Sequence, residues 1–141
     1  MAELRRLSAT ATTTDPALVW QRWTSPGSWA SWDLGLRDAA LDGPFVVGAR
    51  GTLVDRAGRT SAFSVVQLDP GRCCVVEVAL PAARLRLERT LHGPLVRHDV
   101  RFTGPLGLVF AALLAPGFRR VLPDTVRNVA SSATTRQARD R

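Results

Sequence analysis

RLRLERTLHGPLVRHDVRFTGPLGLVFAALL, residues 84–114, carries two hydrophobic periods back to back. From Arg84 to His92, and again from Leu95 to Thr103, apolar and polar side chains alternate, which gives each segment the two faces of a strand. Gly93-Pro94 between them is a turn signal, so the two strands are expected to pair antiparallel. After Thr103-Gly104-Pro105, a helix start, the alternation stops. The segment to Leu114 is apolar nearly all round and reads as helix. A sheet that runs into an apolar helix has to bury that helix against its own apolar face.

The same punctuation continues upstream. Leu34–Asp42 reads as a strand, Gly43-Pro44 with Gly48 as a bend, and Ala49–Arg56 with Arg59–Leu68 as a hairpin across Ala57-Gly58. Asp69-Pro70-Gly71-Arg72 has Pro and Gly where a type II turn needs them, so Arg72–Leu80 returns antiparallel and Pro81-Ala82-Ala83 turns into Arg84. Earlier still, Asp15-Pro16 announces a helix: Asp15 caps free N–H groups, and Pro16 lacks a donor where none is needed. Pro16, Val19, Trp20 and Trp23 share one helical face, and after Ser25-Pro26-Gly27 a second short helical turn places Trp29 and Trp32 together. Glu3–Thr13 alternates as a first strand. The sum is α+β: a bent antiparallel sheet of seven strands, two short helices after the first, and a long C-terminal helix. Pro116-Gly117 is expected to kink or break that helix. Pro123-Asp124 restarts it, and Thr134–Arg141 is expected to fray.

Composition limits the functions. At 141 residues the chain can bury one core, and residues 1–141 are expected to be a single domain. With 45% apolar and 22% charged residues it has the balance of a globular protein. Met1–Leu7 lacks the apolar run of a secretory signal, and Leu106–Phe118 is shorter than the roughly 20 residues a membrane span requires. A cytoplasmic protein, monomeric or homodimeric, is therefore expected. Cys73 and Cys74 are adjacent on a strand, leave opposite faces, and fit neither a mutual disulfide nor zinc-site spacing. No Ser-His-Asp order, phosphate loop or dinucleotide fingerprint occurs, so no metal, cofactor or catalytic residue is assigned. The net charge of +7 invites a nucleic-acid partner. Against it, every basic residue is arginine, with no lysine, isoleucine or tyrosine in the chain, as in a GC-rich genome. The arginines are also dispersed among acidic residues rather than clustered.

In its order of elements the chain resembles the SRPBCC superfamily of START-like and polyketide cyclase-like proteins, which have the Bet v 1-type helix-grip fold. The likeness is carried by Ala17-Leu18-Val19-Trp20 after Asp15-Pro16, by Trp29 and Trp32, by Leu41-Asp42-Gly43-Pro44-Phe45 with Gly48 and Gly51, and by Thr103-Gly104-Pro105-Leu106. It spans nearly the whole chain, although no one motif is a catalytic fingerprint. The resemblance implies a deep cavity between the concave sheet face and the last helix, holding a hydrophobic or aromatic small molecule.

Strand parity says which side chains face that cavity. Val96, Val100 and Phe102 share the concave face with His98, while Arg97, Asp99 and Arg101 point outward. On the preceding strand Leu85, Leu87 and Leu91 face inward with Arg89, against Arg84, Arg86, Glu88 and His92. An inward arginine and histidine on neighbouring strands suit an amphipathic acid, polyketone or phenol: arginine donates to carboxylate or enolate oxygen, and histidine relays protons near neutral pH. Two alternatives stay open: a bulge that leaves Arg89 in solvent, or a His98 that only bonds a core carbonyl. Trp20 and Trp23 are expected in the core, whereas Trp29 or Trp32 closes the cavity against ligand. Phe63 and Cys74 face inward, and Gln67, with the parity of Phe63, adds a polar contact. The expected ligand set is thus Arg89, His98, Trp29, Trp32, Phe63, Gln67, Val100 and Phe102. Binding of a small lipid, aromatic or polyketide-like molecule leads. The alternatives are a cyclase or dehydratase-like enzyme using Arg89 and His98, which the absence of tyrosine disfavours, and an arginine-rich outer face for anionic lipid or nucleic acid.

Overall fold

Hairpins determine the order of the sheet. The computed structural model of the protein describes residues 6–139, with side chains through residue 131. Strands β1 (Arg6–Thr12), β2 (Leu36–Leu41), β3 (Arg50–Asp55), β4 (Thr60–Asp69), β5 (Cys73–Leu80), β6 (Ala83–His92) and β7 (Leu95–Thr103) form one sheet in the order β1-β7-β6-β5-β4-β3-β2. All six neighbouring pairs are antiparallel. From β2 to β7 chain order and sheet order agree, because each link is a local turn. At Asp69-Pro70-Gly71-Arg72, Gly71 takes the positive φ of 77° that a type II turn requires, and Arg72 N–H donates to Asp69 C=O at 3.0 Å. β1 alone joins out of sequence, on the free side of β7.

Two glycines allow close backbone approaches. A Cβ on Gly51 would stand 2.1 Å from Ala40 O and 2.6 Å from the Phe63 ring, so β3 passes under that ring only as glycine. Gly104, at φ 94°, turns the chain out of β7, and a Cβ there would meet Ala83 Cα at 2.9 Å.

Helix α1 (Pro16–Trp23) starts as expected, with Asp15 Oδ1 accepting from Leu18 N–H at 3.2 Å. A 3-10 turn (Pro26–Ser28) and the short α2 (Trp29–Trp32) follow, and α3 (Gly107–Arg139) crosses the concave face. Of the kink or break expected at Pro116-Gly117, no break occurs, and the long C-terminal helix α3 is continuous through Pro116 and Pro123. Each proline removes one bond, to the carbonyls of Ala112 and Arg119 respectively, and all four residues are solvent-exposed. Water can satisfy the freed carbonyls, so the prolines cost less than they would on the buried side. The backbone of the expected frayed tail lies in this helix as far as Arg139, and the side chains of Thr134–Arg141 lie outside those described.

The core fills the space between sheet and helices. Val19, Trp23, Trp29, Trp32, Val96, Ala111, Val126 and Val129 are completely buried. A buried tryptophan removes about 150–250 Å² from water, a gross gain of roughly 4–6 kcal/mol each before ordering costs. Polar bonds lock α3 in register: Thr13 Oγ1 donates to Ala130 O at 3.0 Å, and Leu34 N–H donates to Thr125 Oγ1 at 3.2 Å. A bulge between Val65 and Gln67 interrupts the β4–β5 ladder, pairing Leu68 with Cys74 and Gln67 with Val75. Among the described residues no helix is long and apolar enough to cross a membrane.

Candidate functional site

The β6–β7 register runs without a shift from Arg84 opposite Thr103 to His92 opposite Leu95, so alternation holds along both strands and Arg89 stands opposite His98. Both are buried on the concave face, at 2% and 5% exposure. The bulge that would have turned Arg89 outward lies instead in β4. There it turns Gln67 into solvent and gives its inner place to Leu68, so Gln67 is not a cavity residue.

Arg89 has an unusual environment. Its guanidinium carbon lies 4.4 Å from the Trp29 ring centroid and 5.1 Å from that of Trp32, so two indole faces hold the cation. Its Nη1 has no hydrogen-bond partner, and no carboxylate among the described residues forms an ion pair with it. Burial lowers its pKa from the ordinary arginine value, which Cys74 and Asp33 partly offset at longer range. A guanidinium stays protonated even so, leaving a buried charge with an unsatisfied donor.

His98 is held by the indole of α1. Trp23 Nε1–H donates to His98 Nε2 at 3.0 Å, and the Trp32 ring meets the imidazole edge to face at 5.8 Å. Burial and then the Arg89 charge hold its pKa well below the usual histidine value. With Nε2 accepting and the ring neutral, the single proton belongs on Nδ1. Trp23 is thus a core residue, as expected, and also sets the tautomer of His98.

The third polar group is Asp33, directly after α2. Its Oδ1 accepts from Gly35 N–H at 2.8 Å; burial pushes the carboxyl's pKa up, against the Gly35 bond and the charges of Arg89 and Arg56. Arg89, His98 and Asp33 all line one cavity of about 380 Å³. The sheet contributes Leu53, Val78, Leu85, Leu87 and Val100 to its wall, and α3 contributes Leu114, Phe118 and Leu122. Exposed Arg56, Ala57 and Arg59 on the β3–β4 hairpin, with Gly117 of α3, put its opening between hairpin and helix. The volume is in the range of small-ligand sites, and the lining has their usual mix of apolar walls and few polar groups.

Of the expected ligand set, Arg89, His98 and Val100 line the cavity. Trp29, Trp32, Phe63 and Phe102 lie one layer behind it: the Trp29 ring meets Phe63 at a tilt at 5.2 Å, and Phe102 backs the cavity residue Phe118 at 6.0 Å. Asp33 and Thr125 carry no sequence signal, because their positions depend on how helix and loop dock; for the α3 wall the sequence marks an apolar helix but not which of its residues line the cavity. Cys74 faces inward, its thiol pushed up to about 12 by burial, which removes it as a nucleophile at neutral pH.

No protein-family model and no curated protein matches the chain. Solved structures do. A protein from Nitrosomonas europaea superposes with a TM-score of 0.71 at 13% identity, covering 98% of this chain and 99% of that one. A protein from Chromobacterium violaceum gives 0.62 at 15%, covering 90% and 95%. The di-domain ARO/CYC StfQ from the steffimycin biosynthetic pathway gives 0.69 at 10%, covering 97% of this chain and 53% of StfQ. At these identities the likeness is one of fold: a curled antiparallel sheet with a long C-terminal helix, in an architecture that one polyketide cyclase shares.

Proposed function

We propose that this protein belongs to the SRPBCC superfamily and binds a small hydrophobic molecule, lipid-like, aromatic or polyketide-like, that carries an anionic or enolic oxygen. The observation that carries this reading is Arg89, almost wholly buried beside an apolar cavity with Nη1 unpartnered. A ligand oxygen on that nitrogen supplies the missing acceptor and the missing countercharge together. The Trp29 and Trp32 faces hold the guanidinium in place before the ligand arrives, which lowers the ordering cost of binding. His98 Nδ1–H supplies a second donor, and the apolar walls take the rest of the molecule.

Histidine general-base chemistry fits less well. Trp23 occupies Nε2 of His98, and burial beside Arg89 disfavours the imidazolium, so His98 acts as a fixed donor rather than a proton relay. The outer face offers an anionic partner little free charge: Arg84 and Arg86 are paired with Glu77 and Glu88, and Arg97 and Arg6 with Asp99, which leaves Arg101 of β7 without an ion pair among the described residues.

Calorimetric titration with a series of arene and fatty carboxylic acids, each beside its methyl ester, tests the proposal. Acids are expected to bind about tenfold or more tighter than their esters, the scale of a charge-assisted hydrogen bond. Equal affinities, or no binding by any member of the series, would contradict it.

A further inference from the structure

We infer that the N-terminal half of α3 docks this protein on an anionic membrane surface, with the cavity mouth beside the point of contact. The helix is amphipathic there in the wrong sense for a face left in water. Leu113 is 68% exposed, Val109 50% and Leu106, in the turn before the helix, 39%. Val109, Leu113, Pro116 and Arg120 follow one another at i, i+4, i+7 and i+11 and therefore form one stripe, apolar at its start and cationic at its end. Leu108, 42% exposed, and Arg119 widen it.

The cations of this stripe differ from the paired arginines Arg84, Arg86 and Arg97 of the sheet. Among the described residues Arg119 and Arg120 have no acidic partner, and the single carboxylate of α3 up to residue 131, Asp124, is paired with Arg127. Apolar side chains in one turn and uncompensated cations in the next match a bilayer surface, where the former enter the acyl boundary and the latter meet lipid phosphates. A second copy of the chain fits less well. A stable dimer buries about 800 Å² per partner, more than four side chains offer.

Position adds a reason. Leu114, next to Leu113 in the chain, and Gly117, next to Pro116, turn from the stripe toward the cavity and line it, and its opening lies between α3 and the β3–β4 hairpin. A molecule leaving the bilayer there would pass into the cavity along Leu113 and Leu114 with little exposure to water.

Flotation of the purified protein with phosphatidylcholine vesicles, with and without phosphatidylglycerol, tests this at low and high salt. Binding is expected to require phosphatidylglycerol and to weaken with salt. Replacing both Arg119→Gln and Arg120→Gln should weaken it about thirtyfold, and Leu113→Ser should weaken it about fivefold, with melting temperatures unchanged. Arg89→Met should bind vesicles like the parent, so failure of the cavity reading and failure of docking give different results. Absence of binding to either vesicle, or binding that ignores salt and all three substitutions, would overturn the inference. So would a concentration-dependent dimer abolished by Leu113→Ser, which would assign the face to a second copy.

Discussion

Two charged side chains lie back to back near the middle of the β6–β7 ladder, and the sheet treats them oppositely. Asp99 on the convex face and Arg89 on the concave face are exposed by 5% and 2%. Asp99 is fully engaged. Ser8 Oγ–H donates to it, Arg97 Nε contacts it at 3.0 Å and Arg6 Nη2 at 3.5 Å. Burial alone would raise the Asp99 carboxyl, yet the Ser8 and Arg97 bonds with the nearby arginine charges hold it below the usual carboxylate range. Arg89 has indole faces and, among the described residues, no paired anion. One buried charge is satisfied from within the chain; the other has no countercharge paired with it among the described residues. In the ligand-binding reading proposed above, the difference separates a charge that stabilises the fold from one that waits for a ligand.

The widest break in that comparison is expected from paired substitutions. Asp99→Ala removes the carboxylate on which three side chains converge and should cost about 3 kcal/mol by urea denaturation, near the low end for breaking a buried pair because its arginine partners are half exposed. Arg89→Met should leave the stability of the empty protein within about 1 kcal/mol of the parent, or raise it, since it replaces an uncompensated buried charge by an apolar side chain of similar length. A loss at Arg89 as large as that at Asp99 would show that both charges serve the fold.

His98 gives the next effect, through pH. Its folded pKa lies well below the unfolded value of about 6.5. Its contribution is therefore complete above that pH and is lost as pH falls, when the unfolded chain takes up a proton that the folded one refuses. The slope should approach about 1.4 kcal/mol per pH unit below pH 6. Asp33, whose raised pKa favours the folded state as pH falls, works in the opposite direction. The difference in stability between parent and His98→Gln isolates the histidine, and a flat difference between pH 7 and pH 5 would refute it. Smaller again is Trp23→Phe, which leaves Nε2 of His98 without its donor and should cost about 1–2 kcal/mol. Nitrogen chemical shifts of His98 should show a single Nδ1–H tautomer in the parent and a mixture in the variant.

These residues also show what could be read from sequence. Arg89 and His98 were legible because β6 and β7 pair without a bulge, so counting by twos from Leu85 and Val96 stays in phase. Counting in the same way from Phe63 to Gln67 fails, because the bulge in β4 shifts the phase where no glycine or proline announces it. Turns at Gly58 and Gly71 and the cap at Asp15 carry their own chemistry and were visible. For α3 the sequence showed a long helix but left open whether Pro116-Gly117 kinks or breaks it: whether a proline breaks a helix depends on whether water reaches the carbonyls it frees, and that depends on which face the sheet covers. Asp33 and the cation–π pair at Arg89 arise only when α2, the sheet and α3 come together.

The most direct test of the account is native mass spectrometry of the parent protein and of Arg89→Met, each purified without detergent. The parent is expected to carry a small hydrophobic molecule that is released on denaturation and ionises as an acid or phenol, and Arg89→Met, folded and of equal stability, is expected to be free of it. An empty parent, or the same neutral molecule in both proteins, would contradict the claim that the unpaired arginine is the anchor of a ligand.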